Sequence, residues 1–289
     1  MKKIGFWLAC LILLTARAHA QVTVGITMDQ DQFLRGEAIK IAVCITNLSG
    51  RELSFGGDDE WLTFTVTSRE GRVVPKVAEV PVRGEFVLES AQRATKRVDL
   101  QPFFAFNKSD HYSVVANVRI KGWDQDRKSA PGMFYVIEGA KLWEQDFGLP
   151  KIAGSTNDEP EVRKYSLQQA NYIKGQLRLY LRISDTRGGI IRTVPIGTIL
   201  SFSHPEPQID KSSNLHLIYQ NWARAYTYSV FNPEGELLTR ETYDYVDTRP
   251  RLRVDEGNIS VVGGVKRVSA NEAAAVETPK NQDLKTAPP

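Results

Sequence analysis

The chain has 289 residues, 42% of them hydrophobic, and its formal net charge at pH 7 is +3. Three of its 37 basic residues stand in the first twenty positions, which contain no acid, so residues 21–289 carry 34 basic and 34 acidic side chains. A balanced surface exerts no general attraction on polyanions, so we exclude nucleic acid as a partner, and the length accommodates two domains.

Residues 1–20 have the three parts of a secretory signal peptide. Lys2 and Lys3 begin it, an apolar run covers residues 4–14, and a small-residue cleavage pattern ends at Ala20. The apolar run is too short to cross a bilayer comfortably. We therefore expect a secreted or periplasmic protein with no stable membrane span once the leader is removed.

Cysteine usage excludes an intrachain disulfide in the exported chain. Cys10 leaves with the leader, and Cys44 then stands alone. Cys44 lies in an apolar, β-like stretch without an adjacent basic residue, so we predict a buried, unreactive side chain.

Residues 21–148 form a series of short predicted strands separated by turns. In residues 61–67, Leu62, Phe64 and Val66 alternate with threonines. Apolar and β-branched residues at a period of two are typical of a half-buried strand. About seven or eight such strands predict an antiparallel sandwich of immunoglobulin-like type.

The rest of the chain predicts a second β domain. Residues 149–161 are rich in Gly, Pro, Asn and acids and predict a linker. Residues 162–265 alternate as consecutive strands, with a tight turn at 232–235, and predict an antiparallel β-meander; only residues 165–172 show a brief helical periodicity. Residues 266–289 lack aromatics and are predicted to be disordered. The predicted fold class is therefore mainly β.

Residues 39–74 resemble immunoglobulin-like exported modules, including the subtilisin-inhibitor type found in bacilli. The shared pattern is an apolar strand, a turn from Asn47 to Gly50, the triplet Leu53-Ser54-Phe55, and an alternating strand ending at Gly71. This resemblance implies the sandwich fold and not the inhibitor activity. The C-terminal region is similar to a blade of propeller-type proteins, although its length supplies only one or one and a half sheets.

The sequence contains no recognisable catalytic or metal-binding motif. His111, His204 and His216 lack metal-ligand spacing, so we predict no metal and no cofactor. Acid-rich loops at residues 56–60 and 124–126 lack the spacing of a calcium loop. The serine hydrolase motif Gly-x-Ser-x-Gly is absent. The two catalytic carboxylates of a glycosidase have no recognisable sequence spacing, so an extracytoplasmic hydrolase stays an alternative.

Aromatic residues of the C-terminal region are the binding candidates, and the set is Trp222, Arg224, Tyr226, Tyr228 and His216. If these side chains lie on one exposed face, they can bind a protein or a glycan through stacking and hydrogen bonds. The alternative is that the rings fill a core. We predict an exported, non-catalytic binding or structural module of the cell envelope or secreted fraction, with no catalytic residue. The alternatives are a hydrolase with an unidentified carboxylate or histidine site, and a protease inhibitor acting through an exposed loop such as residues 56–60.

Overall fold

A computed structural model of the chain describes residues 22–123, 126–149, 161–172 and 175–267. The predicted signal peptide, nearly all of the predicted linker and the predicted tail from residue 268 onwards lie outside the described residues. Within the described residues there is no α-helix, and one 3-10 turn covers Gln101–Phe103. The expectation of a mainly β, antiparallel protein is confirmed. The chain divides into two compact units, residues 1–138 and 139–289.

The first unit contains ten strands in its described residues. They are β1 (Val22–Met28), β2 (Gln32–Leu34), β3 (Lys40–Asn47), β4 (Leu53–Phe55), β5 (Leu62–Ser68), β6 (Phe86–Leu88), β7 (Arg93–Asp99), β8 (Asp110–Val118), β9 (Arg127–Lys128) and β10 (Gly132–Ile137). One sheet has the order β1-β3-β7 and another β2-β10-β8-β5, with β9 beside β8; β4 pairs with β6. Among the described strands, only β2 and β10 pair in parallel.

One hydrophobic core joins the two larger sheets of the first unit. Ile41 and Val43 of β3 and Phe64 and Val66 of β5 belong to the same buried cluster. Alternation sends every second side chain of a strand to one face. In β3 the residues between, Ala42 and Cys44 among them, are therefore left on the opposite face, where they are only partly buried.

The second unit contains eleven strands in its described residues. They are β11 (Ala140–Gly148), β12 (Val162–Asn171), β13 (Leu177–Asp185), β14 (Ile190–Ile199), β15 (Glu206–Ile209), β16 (Leu215–Trp222), β17 (Ala225–Phe231), β18 (Leu237–Asp244), β19 (Arg251–Asp255), β20 (Asn258–Val262) and β21 (Val265–Lys266). The sheets have the orders β11-β12-β13-β14 and β15-β16-β17-β18-β21, and β19 pairs with β20.

Strand β17 is buried on both faces. Phe231 belongs to a cluster that also contains Leu167 and Leu181 of the other sheet. Tyr228 belongs to a second cluster, against which Leu252 of the β19–β20 hairpin packs. All seven residues of β17 are therefore buried, because a strand covered on both sides has no solvent face.

Two features of the second unit differ from the sequence expectations. The helical periodicity at residues 165–172 does not produce a helix, since Val162–Asn171 is a strand. Residues 140–148, expected in the first domain, form β11 and pair with β12. Residues 149–161 thus connect neighbouring strands of one sheet, and Leu149 N donates to Glu161 O at 2.8 Å. Composition marks a loop, but it does not reveal which strands the loop joins.

Candidate functional site

A groove of about 410 Å³ lies in the second unit at the end of the β16–β17 hairpin. Its volume falls within the usual range of small-ligand sites. The lining combines one indole with amide, hydroxyl and guanidinium groups, from Gln176, Thr198, Asn221, Trp222, Thr242 and Arg267.

Trp222 reaches this groove through a β-bulge. Gln220 lies opposite Tyr226 and Trp222 lies opposite Ala225, so Asn221 is the extra residue of β16. A bulge bends its strand and redirects the side chains beside it. As a result Trp222 is 72% exposed, whereas Tyr219, three residues earlier, is buried in the core.

Asn221 presents an unsatisfied acceptor at the groove. Its Oδ1 atom is shielded from solvent and accepts no hydrogen bond from any described residue. A buried acceptor without a donor costs roughly 1–3 kcal/mol.

Arg267 is held in a fixed orientation beside the groove. Its Nη2 and Nε atoms donate to Asp244 Oδ1 and Oδ2 at 2.6 and 3.1 Å. This contact lowers the pKa of the Asp244 carboxyl group. The guanidinium group has five N–H donors in a rigid fork, so further donors remain for a ligand.

The chemistry of the groove suits an uncharged polyhydroxylated ligand. An exposed indole offers an apolar face on which a flat, weakly polar ring can stack. The amides of Gln176 and Asn221 and the hydroxyls of Thr198 and Thr242 both donate and accept hydrogen bonds, as a ligand hydroxyl does. Arg267 is the single charged side chain that the described residues contribute to the lining, and it is already paired with Asp244.

Of the five residues that the sequence analysis proposes, only Trp222 lines this groove. Arg224 lies in the β16–β17 turn, where its Nε and Nη2 atoms donate to the carbonyl oxygens of Tyr245 and Val246 at 2.9 and 3.0 Å. Its guanidinium group also lies 5.7 Å from the ring centroid of Tyr245. The hydrogen bonds of Arg224 therefore link the β16–β17 turn to the segment that follows β18.

Tyr226 and Tyr228 are buried and fill a core. They are 4% and 8% exposed and cluster with Ile218 and Val230 under the β19–β20 hairpin. Alternation along β17 correctly puts both tyrosines on one face. The hairpin that covers this face comes more than twenty residues later, and local periodicity gives no sign of it.

His216 is part of a hydrogen-bonded network with Tyr228 and Asp210 and does not lie on an open surface. Its Nδ1 atom lies 2.7 Å from Tyr228 Oη, and its Nε2 atom lies 3.2 Å from Asp210 Oδ2. A carboxylate only accepts, so Nε2–H donates to Asp210; in the neutral imidazole, Nδ1 then accepts from the Tyr228 hydroxyl. Asp210 also accepts the N–H groups of Ser212 and Asn214, each at 2.8 Å.

These contacts shift the pKa values of Asp210 and Tyr228 in opposite directions. Burial acts to raise the pKa of Asp210, but hydrogen bonds from Asn214, His216 and Ser212 outweigh it and hold the pKa below its usual value. Burial, with the negative charges of Glu241 and Asp210, raises the pKa of Tyr228. The arrangement stabilises the turn between β15 and β16.

The first unit has a smaller cleft, of about 330 Å³, beside the acid-rich loop 56–60. Arg119 Nη1 pairs with Glu60 at 3.1 Å, and Arg119 Nε lies 3.7 Å from Asp126. Gly56 has φ +82°, and a Cβ atom there would overlap the carbonyl oxygen of Gly84. The loop is thus a compact turn tied by ion pairs.

In the part of the chain that the structure describes, no three His, Cys, Asp or Glu side chains form a metal-binding group.

Comparisons with known proteins add little to this geometry. No family model and no curated protein matches the chain. Among solved structures, the crystal structure of Spo0M, a sporulation control protein from Bacillus subtilis, is similar over 60% of this chain and 83% of its own, at 10% identity and a TM-score of 0.30. A TM-score this low carries no inference about fold or function.

In the described ranges, no helix has the length and hydropathy that a membrane crossing requires.

Proposed function

We propose that the chain is an exported, non-catalytic binding module whose second unit binds a neutral glycan in the Trp222 groove. The observation that carries this proposal is the 72% exposure of Trp222 at a β-bulge. The neighbouring groups of the groove are those that pair with sugar hydroxyls. An exposed indole beside a concave polar lining offers an apolar face on which a sugar ring can stack.

The fold that accompanies this function is an immunoglobulin-like sandwich followed by a β-meander domain. Support for the sandwich comes from the first unit, where a three-stranded and a larger sheet enclose one core. In the second unit, β11 to β14 pair consecutively, as do β15 to β18. Export itself rests on the sequence of residues 1–20, and the proposed destination is the periplasm or the medium.

A glycan array tests the binding function. The full chain is compared with Trp222→Ala and with Phe202→Ala, a matched control because Phe202 is 70% exposed and does not line the groove. We expect retention of the wild type and the Phe202 variant on a restricted set of neutral glycans, and loss of the Trp222 variant. No retention of the wild type, or equal retention of all three, would contradict the proposal.

The two alternative functions have weaker support. A hydrolase needs converging catalytic groups, and the described residues show none around the groove. An inhibitor loop must present its backbone to a protease, whereas residues 56–60 form a turn in which Asp59 lies 3.6 Å from Arg83 and Glu60 pairs with Arg119. The binding module is therefore the function we propose.

A further inference from the structure

Strand β7 forms an open edge of the first unit. It is the last strand in the order β1-β3-β7, and in the described part of the chain no backbone group bonds to its other side. An edge strand presents a row of unpaired N–H and C=O groups, to which a further strand can add.

The register of β7 with β3 shows which residues carry the unpaired groups. Leu100 N donates to Ile39 O, and Asn47 N donates to Gln92 O, each at 3.0 Å, so both ends of the ladder are hydrogen-bonded pairs. The pairing between them is uninterrupted, and bonded and non-bonded pairs alternate along an antiparallel ladder. The residues at non-bonded positions point their backbone groups outward, and they are Arg93, Thr95 and Arg97.

The other edge strands of at least seven residues are less suited to accept a strand. Strand β11 has a bulge, and β14 contains Pro195 and two irregularities in its register. Strand β1 has Gly25 at its centre, and the edge of β5 is partly occupied because Val74 N donates to Val66 O at 2.8 Å. Bulges, prolines and glycines weaken strand pairing, whereas β7 has none of them.

The two faces of β7 differ in character. Ala94 and Val98 are half-buried and pack against the core of the first unit. Lys96 lies between them, with its Nζ atom 5.3 Å from the ring centroid of Phe86. The opposite face is exposed. A strand added beside β7 would therefore extend the core with apolar side chains on one face only.

The charge of the edge is positive. Three basic side chains of β7 form no ion pair with any described residue, and they are Arg93, Lys96 and Arg97. Asp99, at the end of β7, and Asp29, which follows β1, lie near Arg97 and Lys40 and offset their charge. The excess of positive charge is therefore at the beginning of β7, on both of its faces.

We propose that β7 binds an extended acidic peptide segment of another protein, which adds to the β1-β3-β7 sheet as an antiparallel strand. Acidic residues of the segment lie opposite Arg93 and Lys96, and apolar residues lie opposite Ala94 and Val98. A second copy of β7 fits poorly, because antiparallel pairing of two such strands sets basic side chains against each other, and like charges on neighbouring strands are destabilising.

A synthetic peptide tests the proposal. The probe is the acetylated hexapeptide Val-Glu-Glu-Thr-Val-Glu with a fluorophore at its C-terminus, whose anisotropy is followed as the full chain is added. In antiparallel register its first residue lies opposite Val98 and its last opposite Arg93. We expect saturable binding that weakens about threefold or more when the three glutamates are replaced by glutamines.

Methylated peptides separate strand addition from charge attraction. N-methyl groups on the second and fourth residues block the N–H groups that face β7, and they should weaken binding about tenfold or more, since two hydrogen bonds are lost. N-methyl groups on the third and fifth residues block N–H groups that point away from β7, and binding should remain. No binding of the unmodified peptide, or equal binding of the two methylated forms, would overturn the proposal.

Matched variants place the peptide on β7. Thr95→Pro removes an outward N–H group and no bond to β3, so it should abolish binding, whereas Thr95→Val should leave it unchanged. Arg93→Ala should weaken binding about threefold, and Arg72→Ala, at an exposed arginine paired with Glu70, should not. Unaltered binding by both Thr95→Pro and Arg93→Ala would contradict the proposed place. Trp222→Ala should have no effect, so the glycan proposal and this one fail independently.

Discussion

Replacing Tyr228 by Phe separates a structural role of this residue from a ligand-binding one. The change removes the hydroxyl group that lies 2.7 Å from His216 Nδ1, at a position that is 8% exposed. A net hydrogen bond contributes about 1 kcal/mol, and leaving its buried partner unsatisfied costs about 1–3 kcal/mol. We therefore expect the free energy of unfolding to fall by about 2 kcal/mol. At a slope of about 2 kcal/mol per M, the urea midpoint falls by roughly 1 M.

The assay is urea unfolding followed by circular dichroism, with amide exchange of peptides from β16 and β17 to assign the transition to the second unit. Tyr226→Phe is the matched control, because Tyr226 lies on the same face of β17 and its hydroxyl bonds to no described residue. The control should change stability by less than about 0.5 kcal/mol. Equal, small effects of both substitutions would refute the structural role of the Tyr228 hydroxyl.

Two further predictions concern stability. The pKa of the Asp210 carboxyl group is lowered in the folded protein. Its contribution to the free energy of unfolding is therefore fully present above the unfolded pKa of 3.8 and is lost as the pH falls through the lower folded pKa. Asp210→Asn should reduce this loss of stability in acid-unfolding curves, and an unchanged slope would contradict the prediction. Gly235→Ala should destabilise the protein by about 2 kcal/mol in urea melts, because φ is +79° and a Cβ would lie 2.9 Å from Ile183 Cδ1. Gly71→Ala, at φ +75° with nothing within 4 Å, should cost only about 1 kcal/mol; equal losses would show that packing against Ile183 does not matter.

The parts of the fold that the sequence predicted well are those set by local pattern. The alternation of Leu62, Phe64 and Val66 corresponds to buried positions of β5. The turn at residues 232–235 forms as expected, with Gly235 N donating to Asn232 O at 2.9 Å. Such signals arise within a few residues and need no knowledge of the partner strand.

The parts that the sequence did not predict depend on long-range pairing. Tyr226 and Tyr228 have the spacing of an exposed aromatic face, and only the later hairpin at β19 and β20 buries them. The groove that holds Trp222 takes Gln176 and Arg267 from strand ends far away in sequence. Neither contact leaves a periodic signal near Trp222 itself.

The indole N–H resonances of the labelled full chain test the account most directly. Trp222→Phe identifies the signal of Trp222, and Trp61 serves as an internal reference, because its Nε1 atom donates to Val82 O at 2.8 Å inside the core. On titration with the glycan that the array retains most strongly, the account predicts that the Trp222 signal shifts to saturation while the Trp61 signal stays in place. Saturable binding that leaves the Trp222 signal unmoved would contradict it.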